Sequence, residues 1–174
     1  MTDRFAHRLK LDSLHDGERV ELVADEAERK SVAERLGLTD LGCLQAHATL
    51  TCKGALIEAD GRIVASLAQS CVVTGVPVPA HVDEAFSLIF MPEPQCSRSD
   101  EEVALGPADC DVVFYDGGII DLGSAIADTL ALSLNPYPRS AGADAALKEA
   151  GILTEAEAGP FAALAQLKGK SSSD

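Results

Sequence analysis

Five cysteines, Cys43, Cys52, Cys71, Cys96 and Cys110, are the residues best equipped for chemistry. They are spaced 9, 19, 25 and 14 positions apart. A structural zinc site takes four Cys or His ligands arriving as close pairs. No two of these cysteines stand at C-x-x-C spacing, so the sequence predicts no metal site and no cofactor. An odd count at irregular intervals also does not read as a disulfide framework. A thiol enzyme would need a thiolate beside a base, and Cys71 with His81 or His47 is the pairing to test. Asp109, Asp111 and Asp116 miss the fixed offsets of a calcium loop. Asp116-Gly117-Gly118 is neither G-x-G-x-x-G nor a Walker loop, and G-x-S-x-G is absent. The residue chemistry predicts a protein that is not an enzyme.

The charge is the strongest bulk signal. The 174 residues carry 28 acidic side chains against 14 basic ones, a formal net charge of −14. Residues 98–128 hold one basic residue, Arg98, against eight acidic ones (Asp100, Glu101, Glu102, Asp109, Asp111, Asp116, Asp121, Asp128). Residues 1–40 are more balanced, with seven basic and ten acidic. Direct binding of nucleic acid draws its affinity from neutralised phosphates. This average field repels phosphate and attracts basic partners. A solvated acidic surface that only keeps the protein soluble is the plainer alternative. The opening MTDRFAHRLKLDSL lacks the apolar run of a signal peptide, and no stretch approaches the roughly 18 apolar residues of a membrane span. A reducing cytoplasm is the expected location.

The elements that must position these residues follow from periodicity. Residues 5–11 alternate and predict a first strand, Asp16-Gly17 a turn, and Glu21-Leu22-Val23 a short strand. Asp25 stands three residues before Glu28 as in a capping box, Val32 and Leu36 share a helix face, and Gly37 offers a stop. Leu44, Ala46, Ala48, Leu50 and Cys52 alternate as in a half-buried strand. Asp60-Gly61, between Leu56-Ile57 and Ile63-Val64, predicts a two-residue hairpin whose second strand runs to about Val73. Pro77 and Pro79 are expected to interrupt. Val82, Glu84, Phe86, Leu88 and Phe90 then alternate again. Residues 92–111 read as a long, mobile, acidic loop. Val112–Tyr115 follows as a strand, and Asp121 caps a helix with Leu122, Ile126, Leu130 and Leu134 at spacing four. Pro136 and Pro138 end that helix. Short helices are expected near 143–150 and 160–168, the latter with Phe161, Leu164 and Leu167 on one stripe. The fold class is α+β: an antiparallel β-sheet, or a small partial barrel, with packed helices. Residues 1–139 form the domain, and 140–174 an Ala-rich helical tail with a flexible end.

Two segments look like signatures: Gln69 to Thr74 with Pro77-Val78, and Ile120-Asp121-Leu122-Gly123 through Pro136-Tyr137-Pro138-Arg139. With Phe5 to Leu11, Ala24 to Arg29, Arg35 to Leu38 and Gly159 to Leu164, the chain resembles the YceD family. These are the large ribosomal RNA subunit accumulation proteins, and the alphaproteobacterial branch is the nearest in type. The resemblance implies a non-enzymatic role in the synthesis, processing or stability of 23S ribosomal RNA and in large-subunit assembly. A ribosomal protein or an assembly intermediate is the expected partner, and the net charge of −14 is the reason to expect ribosomal RNA to be reached indirectly. Many family members carry C-x-x-C where this chain has Cys71 and Thr74, and often Glu where it has Val76, so roles of those groups do not carry over. The resemblance points to Cys71, Val72, Thr74, Pro77, Asp121, Tyr137, Arg139 and Phe161 as binding residues. An architectural reading stands beside it: Cys71 to Pro77 turns one strand into the next, and Asp121 caps a helix, worth about 1 kcal/mol. Two other functions remain open, an acidic escort for a basic ribosomal protein and a thiol or metal enzyme.

Overall fold

The computed structural model describes residues 5–93 and 111–152. The tail helix expected near 160–168, with Phe161, and nearly all of the acidic loop expected at 92–111 lie outside the described residues. In chain order the elements are β1 (Arg8–Lys10), β2 (Glu18–Val23), α1 (Glu26–Leu36), β3 (Asp40–Lys53), β4 (Leu56–Ser70), β5 (Pro77–Pro92), β6 (Asp111–Tyr115), β7 (Ile119–Asp121), α2 (Leu122–Ser133) and α3 (Ala143–Glu149). The chain divides into two compact units. The first contains residues 1–69 and 79–136, the second 70–78 and 137–174.

The α+β class holds. Five strands form an open sheet in the order β2-β3-β4-β5-β6, and β1 pairs with β7 in a separate two-stranded ribbon. Among the described residues the sheet stays open, with no closed barrel. It is also not wholly antiparallel, because β6 runs parallel to β5, with Leu88 opposite Asp111 and Pro92 opposite Tyr115.

Strict alternation drives the core. Leu44, Ala46, Ala48 and Leu50 of β3, Ile57, Ala59, Ile63 and Ala65 of β4, and Phe86, Leu88 and Phe90 of β5 are buried on one face. The intervening Gln45, His47, Arg62, Ser66 and Asp83 are exposed. Leu122, Ile126 and Leu130 of α2, each 0% exposed, join the same core cluster. Their spacing of four makes one helical stripe, as the sequence predicts.

The capping box of α1 is present. Glu28 N donates to Asp25 Oδ1 at 2.8 Å, and Asp25 N donates to Glu28 Oε2 at 2.9 Å. Gly37 closes the helix in the left-handed region at φ 65°. The hairpin is elsewhere than expected. β4 runs unbroken through Asp60-Gly61, and the two-residue loop is Gly54-Ala55, with Gly54 at φ +68° and Lys53 paired to Leu56. Gly61 is required for space instead: a Cβ there would stand 2.0 Å from His47 O and 2.8 Å from Phe86 Cζ. β4 ends at Ser70, short of Val73. Pro77 and Pro79 do not interrupt β5 but begin it. β6 flanks only Leu88–Pro92, so both prolines sit where β5 has one neighbour and a missing N–H costs no ladder bond on the other side.

Candidate functional site

The second unit holds residues 70–78 of the first signature segment and the Tyr137-Pro138-Arg139 end of the second. Cys71 starts the turn that follows β4. Its N–H donates to Val76 O at 2.9 Å, and Gly75 N donates back to Cys71 O at 2.9 Å. Gly75 takes φ +71°, which a side chain would resist. The chain around 138–140 then closes on this turn. Val72 N donates to Pro138 O at 2.9 Å. Ser140 N donates to Cys71 Sγ at 3.2 Å, Thr74 N donates to the same sulfur at 3.4 Å, and the Thr74 and Ser140 hydroxyls lie 3.1 Å apart.

This arrangement defines the state of Cys71. Its residue is 3% exposed. Hydrogen bonds from Ser140 and then Thr74 pull the thiol down to about 6 from its ordinary 9.0, against the opposing effect of burial. Hydrogen bonds directed at the charged form favour it. The sulfur is acidic yet sealed, which suits a structural anchor better than a nucleophile. His81, one of the bases considered for it, has its Nδ1 3.4 Å from Ser66 Oγ. Cys52 shifts the other way, raised by burial and then by the negative charges of Asp16 and Glu18.

Exposed hydrophobic side chains stand in the two segments that meet at the sealed sulfur, among the polar Ser70, Thr74 and Arg139. Val72 is 52% exposed, Val76 53% and Tyr137 73%, while Pro138 between them and Arg139 is buried. Pro77 is exposed at the start of β5, and Arg139 Nη1 lies 3.3 Å from Asp144 Oδ1 of α3. Cys71, Val72, Thr74 and the 137–140 segment are therefore brought together. Val76, which the sequence marks as a departure from the family pattern, belongs to the same arrangement, as does Ser140, which sequence reasoning missed. Ser140 directly follows the Pro136–Arg139 signature, and that adjacency was the available signal.

Asp121 lies in the first unit and is engaged in structure. Its Oδ1 accepts from Ser124 N at 3.1 Å, capping α2, and from His7 N at 3.2 Å, holding the chain ahead of β1. Its Oδ2 faces Arg8 Nε at 3.8 Å. Gly123 beside it admits the same segment: a Cβ there would stand 2.7 Å from both His7 N and Phe5 O.

The basic residues of the first unit are largely committed. Arg35 Nη2 meets Asp128 Oδ1 at 2.7 Å, Arg29 Nη1 donates to Ala24 O at 2.9 Å, and Arg62 pairs with Asp83. Arg8 and Arg35 line a cavity of about 50 Å³ with Phe5, Ser31, Val32, Asp121, Ser124 and Ala127. That is far below the several hundred Å³ of a metabolite site. Among the described residues, no group of three or more His, Cys, Asp or Glu is placed to hold a metal ion, and no helix is long and apolar enough to cross a membrane.

A family model described as large ribosomal RNA subunit accumulation protein YceD matches residues 59–168. That span includes both signature segments and covers well over half of the chain. No curated protein and no solved structure matches.

Proposed function

Since the chain belongs to the YceD family, we propose that it promotes accumulation of 23S ribosomal RNA by binding a basic protein of the large subunit during assembly. In this reading it is a cytoplasmic accessory factor rather than an enzyme, and it meets ribosomal RNA through that partner. The observation that carries the reading is the pairing of Arg8 with Asp121 and Arg35 with Asp128. These two arginines belong to residues 1–40, the stretch richest in basic side chains, with seven of the 14, where a phosphate-binding face would have to form. Exposed pairs are weak, about 0–1 kcal/mol each. A phosphate that displaced either carboxylate would nevertheless leave a like charge beside itself. A lysine- or arginine-rich protein meets no such penalty and is drawn in by the net charge of −14.

Val72, Thr74, Val76, Pro77, Tyr137 and Arg139 form the proposed contact surface of the second unit. Solvent-exposed apolar residues around a Tyr and an Arg have the composition of an interface centre. Cys71 supports that surface from below. The test is depletion combined with affinity purification of the tagged chain. Depletion should lower 23S relative to 16S RNA, and basic large-subunit proteins should stay bound after nuclease treatment. Recovery of RNA alone, with the protein partners lost on nuclease treatment, would reject the protein-mediated reading.

A further inference from the structure

The far edge of the sheet carries a second feature. β6 ends the strand order, so among the described residues no strand lies on its outer side. Tyr115 O accepts from Glu93 N at 2.9 Å, which turns the main chain of Tyr115 toward the β5 side. Successive residues of a strand direct their N–H and C=O groups to opposite sides. Val112 and Phe114 therefore direct theirs outward, along the open edge. Open edges are templates for another strand.

The side chains at this edge favour a particular occupant. Val113 and Tyr115 pack on the core, so Val112 and Phe114 point to the opposite face of the sheet. The register sets Val112 beside Ile89 and Phe114 beside Met91. These four make an apolar patch on a face that is otherwise polar, and Phe114 at its rim is 58% exposed. The ends of the edge are acidic, with the exposed Asp111 and Asp116 bounding β6. Tyr115 Oη donates to Ala55 O at 2.6 Å, which brings the β3–β4 loop into this neighbourhood, and Lys53 there is already paired with Glu58 at 2.7 Å.

We infer that β6 accepts an extended segment of a basic protein, adding it to the sheet as a sixth strand. The added strand would bond to Val112 and Phe114, set apolar residues beside Phe114, and place lysines or arginines toward Asp111 and Asp116. This is strand addition, in which main-chain bonds supply affinity and alternate side chains supply selectivity. It rests on the proposed function for the partner's basic character and names a surface separate from the Cys71 turn.

The probe is a ten-residue peptide of alternating lysine and valine, mixed with the full chain and followed by amide hydrogen exchange. Saturation should slow exchange at Val112 and Phe114 at least tenfold. Phe114→Pro removes one outward N–H at a position where an edge strand tolerates proline, and should abolish peptide binding. Should that variant not fold, Asp111→Lys with Asp116→Lys should weaken the peptide at least tenfold while leaving the melting temperature unchanged. Unchanged exchange, equal binding of a glutamate–valine peptide, or the same protection from an RNA oligonucleotide would overturn the inference. So would protection without peptide that accompanies a doubling of mass, since a second copy would then hold the edge. Purified basic large-subunit proteins that bind wild type and Phe114→Pro equally would overturn the edge assignment and leave the proposed function standing. A chain that takes the peptide at β6 but binds none of those proteins would sustain the edge and refute the function.

Discussion

The backbone N–H of Ser140 reaches Cys71 Sγ at 3.2 Å across 69 positions of sequence. Thr74 donates to the same sulfur at 3.4 Å, and the two hydroxyls sit 3.1 Å apart. One buried side chain thus ties together the two segments that stand out as signatures, and it sets their exposed neighbours Val72, Val76 and Tyr137 in place.

The first prediction concerns pH. The folded thiol titrates near 6 and the unfolded one near 9.0. Above 9 both are thiolates and only the folded one is held by N–H groups, so the stabilisation is complete. Between 9 and 6 it declines, and it is gone once pH falls through the folded value. The melting temperature of wild type minus that of Cys71→Ala should therefore widen steadily from pH 6 to pH 9. A difference that is flat across this window would show that no thiolate forms in the folded chain.

A second prediction separates two glycines. Gly61→Ala forces a Cβ to within 2.0 Å of the His47 carbonyl, a backbone atom that cannot swing aside. It should cost about 1–3 kcal/mol or more, as overpacking does. Gly54→Ala meets open space and strains only φ, so it should cost about 1 kcal/mol. Urea unfolding measures both. A reversed order would place the turn at Asp60-Gly61 after all.

Asp121 supplies the third. Asp121→Ala removes the acceptor of both Ser124 N and His7 N. Loss of a cap and of a second backbone partner should destabilise by about 1–3 kcal/mol. Asp121→Asn retains the acceptor oxygen and should recover most of that. Partner affinity should follow neither change, since the side chain is engaged within the first unit.

Much of this fold is legible in the sequence because it is local. The capping box at Asp25 and Glu28, the stripe of Leu122, Ile126 and Leu130, and the alternation of β3 and β5 are each set within a few residues. What is not legible depends on distant neighbours. Asp60-Gly61 has the composition of a hairpin turn, yet Gly61 is required by Phe86 and His47, which its own segment does not reveal. Pro77 and Pro79 read as breakers because their place beyond the reach of β6 depends on a strand many positions later. The parallel sense of β6 has no local signature. Of the proposed contact surface, Cys71, Val72, Tyr137 and Arg139 lie in segments that the sequence singles out, whereas Ser140 becomes visible only when the two segments stand side by side.

The central claim is that this chain engages the large subunit through a basic protein rather than through phosphate. Binding to 23S RNA fragments and to purified basic large-subunit proteins, titrated in parallel from low to physiological salt, tests it most directly. The account predicts at least tenfold tighter binding to one of the proteins at physiological salt. It also predicts that neutralising Asp111 and Asp116, with their acidic neighbours in 100–116, weakens that binding. Tight binding of free RNA that falls steeply with salt, is lost on replacing Arg8, Lys10, Arg29, Lys30 and Arg35, and ignores the acidic changes would contradict it.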